Sequence, residues 1–189
     1  MQSLAIFCGA KHGHRAAYTQ AAVALGQGLA QQGITLVYGG GNIGLMGEVA
    51  TAALDAGGRV VGVIPAFMVE RELAHAGLSE LIVVDSMHSR KARMAALAQG
   101  FIALPGGIGT YDELFEILTW AQLGIHPYPV GLLDVDGYFD PFRALWQRAA
   151  DDGFLHANTR APLVSASVPL LLQQMAAQLP SALDMSARA

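Results

Sequence analysis

Pro105, Gly106, Gly107, Ile108, Gly109, Thr110, Tyr111, Asp112 and Glu113 bring bare backbone, a hydroxyl and a carboxylate together in one short stretch. They follow an apolar run, Phe101 to Leu104, and open the spacing of an amphipathic helix. At the carboxyl end of a strand in an open parallel sheet, backbone N–H groups and the positive end of the next helix turn toward an anion. The pattern suits a phosphorylated small molecule. Glu113 then stands at the mouth of the anion site, placed to stabilise a developing oxocarbenium ion or to activate water. The same residues fit a capping box, with Thr110 capping the helix and Glu113 reaching back to its N–H, and local pattern alone favours that structural role.

A second glycine-rich connection, Gly39, Gly40, Gly41, Asn42, Ile43, Gly44, Leu45, Met46 and Gly47, also lies between a strand and a helix. Alone, such a cluster equally serves a tight turn or close helix–strand packing. Two on one rim outline a nucleotide or sugar-phosphate cleft. The loop lacks the lysine of a P-loop and the spacing of a dinucleotide fingerprint. Further on, Met87, Arg90, Lys91, Met94 and Leu97 fall on one helix face, so two cations share the face that carries the apolar residues. Either their heads snorkel to solvent or pair with carboxylates, or they meet a phosphate, Arg90 with a planar fork and Lys91 with a compact charge. Val69 to His75 reads as a solvated connection in which Glu72 is a candidate to bond sugar hydroxyls. His12, His14, His75, His88, His126 and His156 show no metal-site spacing, and neither a Cys/His cluster nor a G-x-S-x-G elbow is present.

These residues need a scaffold that brings strand ends to one rim. Apolar runs alternate with alanine-rich helical segments. Strands are expected at Leu4 to Cys8, Ile34 to Tyr38, Arg59 to Ile64, Leu81 to Asp85, Phe101 onward, Val130 to Leu133 and Leu163 to Ser165. Helices fill the intervals: one to about Gln32, Gly44 to Ala56, Met87 to Gln99, one to Leu123, Pro141 to Asp151 and Val168 to Leu179. The alternation predicts an α/β fold, a single Rossmann-like domain over residues 1–179 with a mostly parallel sheet and helices on both faces. Gly33, Gly57, Gly58, Gly100 and Gly124 sit where helices should stop. A frayed tail is expected over 180–189.

The 189 residues suit one domain without metal or disulfide support. Hydrophobic residues make up 53% and charged ones 14%, more apolar surface than a monomer of this size easily hides, which points to a homo-oligomer. No apolar run approaches a bilayer-spanning length and no signal-peptide order opens the chain, so a cytoplasmic location is expected and a membrane partner is not. The lone Cys8 lies in the first apolar strand and reads as core rather than nucleophile. A net charge of −4 gives no footprint for nucleic acid.

Taken together, Arg90-Lys91, Pro105 to Glu113, the Gly39 to Gly47 loop and Thr119 to His126 resemble the Lonely Guy (LOG) family of cytokinin riboside 5′-monophosphate phosphoribohydrolases, a likeness running from about Leu4 to Ser165. The resemblance implies hydrolysis of the N-glycosidic bond of a nucleoside 5′-monophosphate, with adenine or N6-isoprenylated adenine as the base and ribose 5-phosphate as the second product. It implies Arg90 and Glu113 as the catalytic pair. It also implies that Met87, Lys91, Gly40, Gly41 and the backbone of Gly107, Ile108, Gly109 and Thr110 hold the nucleotide, that Glu72 contacts it, that no metal or organic cofactor takes part, and that the chain is a homodimer. Arg90 most simply binds phosphate. The family has also carried a lysine decarboxylase label, which requires pyridoxal phosphate on a lysine, and this chain has only Lys11 and Lys91. Ala10 and Lys11 depart from the serines frequent in the first loop of the family. The rival readings are a non-catalytic nucleotide or cofactor carrier on the same fold, such as the molybdenum-cofactor carriers, and a general AMP nucleosidase.

Overall fold

The computed structural model describes residues 1–69, 74–156 and 159–180. Glu72 and most of the Val69 to His75 connection lie outside the described residues, as does the tail beyond residue 180.

Seven strands form one parallel sheet: β1 (Ser3–Phe7), β2 (Thr35–Tyr38), β3 (Val60–Pro65), β4 (Glu80–Val84), β5 (Phe101–Ala103), β6 (Val130–Leu133) and β7 (Leu163–Ser165), in the order β4-β3-β2-β1-β5-β6-β7. The helices are α1 (Ala16–Gln31), α2 (Gly44–Asp55), α3 (Met87–Leu97), α4 (Ile108–Gln122), α5 (Asp140–Asp151) and α6 (Val168–Ala177). Because side chains alternate along a strand, Leu4 and Ile6 of β1 face a core shared with α1, α2 and α6, while Ala5 and Phe7 face the core of α3, α4 and α5. Strands covered on both faces read as continuous apolar runs.

The chain winds outward from β1 to β4 on one side, then crosses back to place β5, β6 and β7 on the other. The loops leaving β1 and β5 therefore diverge above adjacent strands, the switch point at which such sheets bind ligands. Gly33, Gly57 and Gly124 end helices with φ of +66°, +78° and +74°, as expected. Gly100 does not: α3 stops at Leu97 and Ala98 is extended. A methyl at Gly100 would lie 2.7 Å from Leu4 Cδ2, so packing requires the glycine.

Candidate active site

A cavity of about 740 Å³ occupies the switch point. Its walls are residues 8–13 of the β1–α1 loop with Tyr18, Leu45 and Met46 at the start of α2, residues 105–110 with Asp112 and Glu113, and Met68, Met87, Arg90 and Tyr138. The structure thus brings Arg90, Glu113, Met87, Gly107, Ile108, Gly109 and Thr110 to one space.

The helix that carries Glu113 starts earlier than the capping-box reading expects. Gly107 is the N-cap, no side chain caps α4, and Thr110 already lies within its first turn. Thr110 is buried, and its Oγ1 sits so close over Gly106 that a Cβ there would fall 2.0 Å away. With its hydroxyl turned onto Gly106, Thr110 is not the cap, and Glu113 is not its box partner. The first N–H groups of α4 consequently lack both an intrahelical acceptor and a side-chain cap. They open into the cavity at Gly107, Ile108 and Gly109, all exposed. A Cβ on Gly107 or Gly109 would meet nothing within 4 Å, and neither has a positive φ. The fold does not need these two glycines, which leave the backbone bare where an anion would approach.

Arg90 is only 4% exposed. Its helix is capped by Ser86, whose side chain accepts from the N–H of Ser89 at 3.1 Å. The guanidinium turns under the sheet rim, Nε donating to the carbonyl of Val63 at 3.1 Å and Nη2 to the carbonyl of Gly39 at 2.9 Å. Two of its donors therefore tie together the carboxyl ends of β2 and β3, while Arg90 remains part of the cavity wall. Lys91 is not in the cavity wall. Its Nζ bridges Asp112 at 3.1 Å and Glu116 at 3.0 Å, joining α3 to α4. Burial opposes the ammonium, but the bonds to Glu116 and Asp112 outweigh it and raise the pKa above its ordinary value. Gly40 and Gly41 also stand outside the wall: Gly40 packs beneath Ile64 and Leu81, and Gly41 makes an isolated antiparallel bridge with Ala74.

Sequence reasoning missed Tyr138. Its hydroxyl donates to the carbonyl of Gly106, its ring meets Tyr18 edge-on at 5.8 Å, and it stacks on Tyr111 at 6.5 Å. Asp134 holds the connecting turn, accepting from the N–H of Gly137 at 3.2 Å and of Phe139 at 2.9 Å. Burial, and then a hydrogen bond with Tyr138, push the Tyr111 phenol up to about 12. Cys8 lies at the floor. Burial raises its thiol well above the usual range and the charge of Glu113 raises it further, so it is no thiolate nucleophile.

The sequence profile of the family described as "Possible lysine decarboxylase" matches residues 46–175. The chain is 52% identical over 163 residues to the probable cytokinin riboside 5′-monophosphate phosphoribohydrolase LOGL1 of Oryza sativa subsp. japonica, covering 86% of this chain and 73% of that one. The chain belongs to the LOG family. A second LOG relative, the cytokinin riboside 5′-monophosphate phosphoribohydrolase LOG2 of Arabidopsis thaliana, is 45% identical over 178 residues, 94% of this chain and 84% of that one. Among solved structures, the molybdenum cofactor binding protein from Rippkaea orientalis superposes with a TM-score of 0.72 at 20% identity, over 93% of this chain and 96% of that one. The molybdenum cofactor carrier protein of Chlamydomonas reinhardtii gives 0.70 at 23%, over 93% and 98%. At such identities the likeness is one of fold.

The residues of this LOG chain do not fit the cofactor of a lysine decarboxylase. A lysine that forms an imine with pyridoxal phosphate must first shed its proton. Lys91 is held protonated by two carboxylates outside the cavity, and Lys11 stands exposed at the rim.

Proposed function

We propose that this LOG-family chain hydrolyses the N-glycosidic bond of adenosine 5′-monophosphates, both AMP and N6-isoprenylated forms such as isopentenyladenosine monophosphate, releasing the base and ribose 5-phosphate. The observation that carries the reading is the uncapped start of α4, bare at Gly107 and Gly109, opening into the cavity that Glu113 lines. The 5′-phosphate docks on the free N–H groups of Gly107 to Thr110, where the helix dipole favours negative charge. Glu113, one turn further along α4, then faces the anomeric carbon. Its carboxylate stabilises the positive charge that develops as the base departs and orients or deprotonates the attacking water. Arg90 acts by fixing the rim at Gly39 and Val63, with Met87 and Met68 forming the apolar wall beside it. Lys91 acts from outside by fastening α3 to the helix of Glu113.

The enzyme works as a cytoplasmic homodimer, in the compartment that supplies nucleoside monophosphates. Support for pairing comes from an apolar groove between α4 and α5 lined by Phe115, Leu118, Phe142, Leu145 and Trp146, with Leu123 and Ile125 exposed just past α4. Phe115 lies two residues beyond Glu113, so pairing there would close on the helix of the site.

The test is incubation of the protein with AMP and with isopentenyladenosine monophosphate beside Glu113→Gln, following free base and ribose 5-phosphate by chromatography. Release by the wild type should fall about 10²–10⁴-fold in the variant. Nucleotide that stays bound and intact would favour the carrier reading instead.

A further inference from the structure

We propose that Lys11 supplies the ammonium that recognises the substrate's 5′-phosphate, making a charge contact on the side of the cleft opposite α4. The inference rests on the phosphoribohydrolase reading above and names a phosphate contact for it.

The charges around the cavity lead to this residue. A phosphate docked at Gly107 to Thr110 adds negative charge to a wall that already carries Asp112 and Glu113. Among the described residues, the wall offers two cations, Lys11 and Arg90, and one imidazole, His12. Arg90 has turned two donors to the carbonyls of Val63 and Gly39. His12 Nε2 lies 3.0 Å from Glu48 Oε1. Lys91, the other lysine of the chain, is spent on Asp112 and Glu116. Lys11 makes neither an ion pair nor a side-chain hydrogen bond with any described residue, and its side chain is exposed at the cavity rim.

The loop that carries it is clamped next to the phosphate site. Gly9 N donates to the carbonyl of Pro105 at 3.1 Å, and the N–H of Leu45 donates back to the carbonyl of Gly9 at 3.0 Å. A methyl on Gly9 would lie 2.9 Å from the Lys11 carbonyl oxygen and 3.3 Å from Gly106 Cα. On the other side, a methyl on Gly44 would come within 2.3 Å of Lys11 N. The Lys11 backbone thus packs on the start of α2 while Gly9, two residues before it, packs on the turn that enters α4, and the flexible four-carbon stem of Lys11 lines the same cavity as Gly107 to Thr110. A serine in this place would offer a neutral hydroxyl. An ammonium offers a point charge, whose attraction for phosphate falls as salt rises.

Calorimetric titration of ribose 5-phosphate and of ribose into wild type, Lys11→Ser and Lys11→Arg at low and high salt tests this, with AMP hydrolysis measured in parallel. Lys11→Ser should weaken ribose 5-phosphate about tenfold at low salt and flatten the salt dependence, while Lys11→Arg stays within about threefold of wild type and ribose binds all three alike. In hydrolysis KM should rise with that dissociation constant and kcat should hold. Equal ribose 5-phosphate affinity in wild type and Lys11→Ser at low salt, or an unchanged KM, overturns the inference while leaving the hydrolase reading intact. Lysine-dependent binding without cleavage of either nucleotide does the reverse, upholding the phosphate contact and removing the hydrolase reading.

Discussion

Arg90 Nη2 and Gly39 are in such close approach that a methyl on Gly39 would lie 1.9 Å from that nitrogen. The buried guanidinium has no room to yield without breaking its bonds to the Gly39 and Val63 carbonyls. Gly39→Ala should therefore cost about 2–4 kcal/mol, combining overpacking with loosened partners of a buried cation. For a chain of this length that lowers Tm by about 5–10 °C. Gly33→Ala, where only a φ of +66° is strained and the space is open, should cost about 1 kcal/mol. Thermal unfolding of both variants decides; equal losses would mean that Arg90 is not pinned in this way.

Gly107→Ala should behave in the opposite sense. With φ −100° and nothing within 4 Å of a Cβ, alanine fits the folded backbone, so Tm should stay within about 2 °C of wild type. The new methyl intrudes where the phosphate would meet the helix start, and kcat/KM for AMP should drop about tenfold or more, chiefly through KM. Unchanged kinetics would remove the start of α4 as the anion site.

The contrast between these two glycines marks what was legible in the sequence. The strands could be read because each is covered on both faces and so carries an unbroken apolar run, as in Phe101–Ala103 and Val130–Leu133. The glycine loops could be read because they fall at strand ends. Which glycine serves packing and which faces ligand could not, since Gly39 is set by an arginine 51 residues away. The start of α4 was misplaced for a similar reason: the Thr110 hydroxyl has a local alternative over Gly106 that the capping-box pattern does not reveal. Lys91 shares a helical face with Arg90, yet its partners belong to α4, and only the packing of two helices shows them.

Tyr138 reaches Gly106 across 32 residues because β6 lies beside β5. Tyr138→Phe keeps the ring between Tyr18 and Tyr111 but removes the hydroxyl that steadies the turn into α4. Stability should change by about 1 kcal/mol, whereas KM for AMP should rise several-fold with kcat little altered. The Tyr111 phenol supplies a second reading: it should titrate below its present value of about 12 yet remain raised, since burial is the larger cause and survives the substitution. Ultraviolet titration that left Tyr111 unmoved would show that the two hydroxyls are not coupled.

His126 gives the fold a pH dependence whose sign follows from its bonds. Nε2 donates to the carbonyl of Ile117 at 2.9 Å, which leaves Nδ1 bare to accept from the N–H of Tyr128 at 3.2 Å. The ring is only 8% exposed and packs 4.8 Å from Phe101. Burial lowers its pKa below the ordinary value of 6.5, the bond to Ile117 offsetting only part of that. The folded state thus holds the neutral ring, and the unfolded state takes up the proton first on acidification. Stability from this site is complete above pH 6.5 and declines as pH falls toward the folded pKa, no more steeply than about 1.4 kcal/mol per pH unit. His126→Gln, which can still donate to Ile117 but does not titrate, should be less stable than wild type at about pH 7.5 and lose less on moving to about pH 5. Urea unfolding at the two pH values checks the slope; parallel losses in both proteins would show that His126 does not carry it.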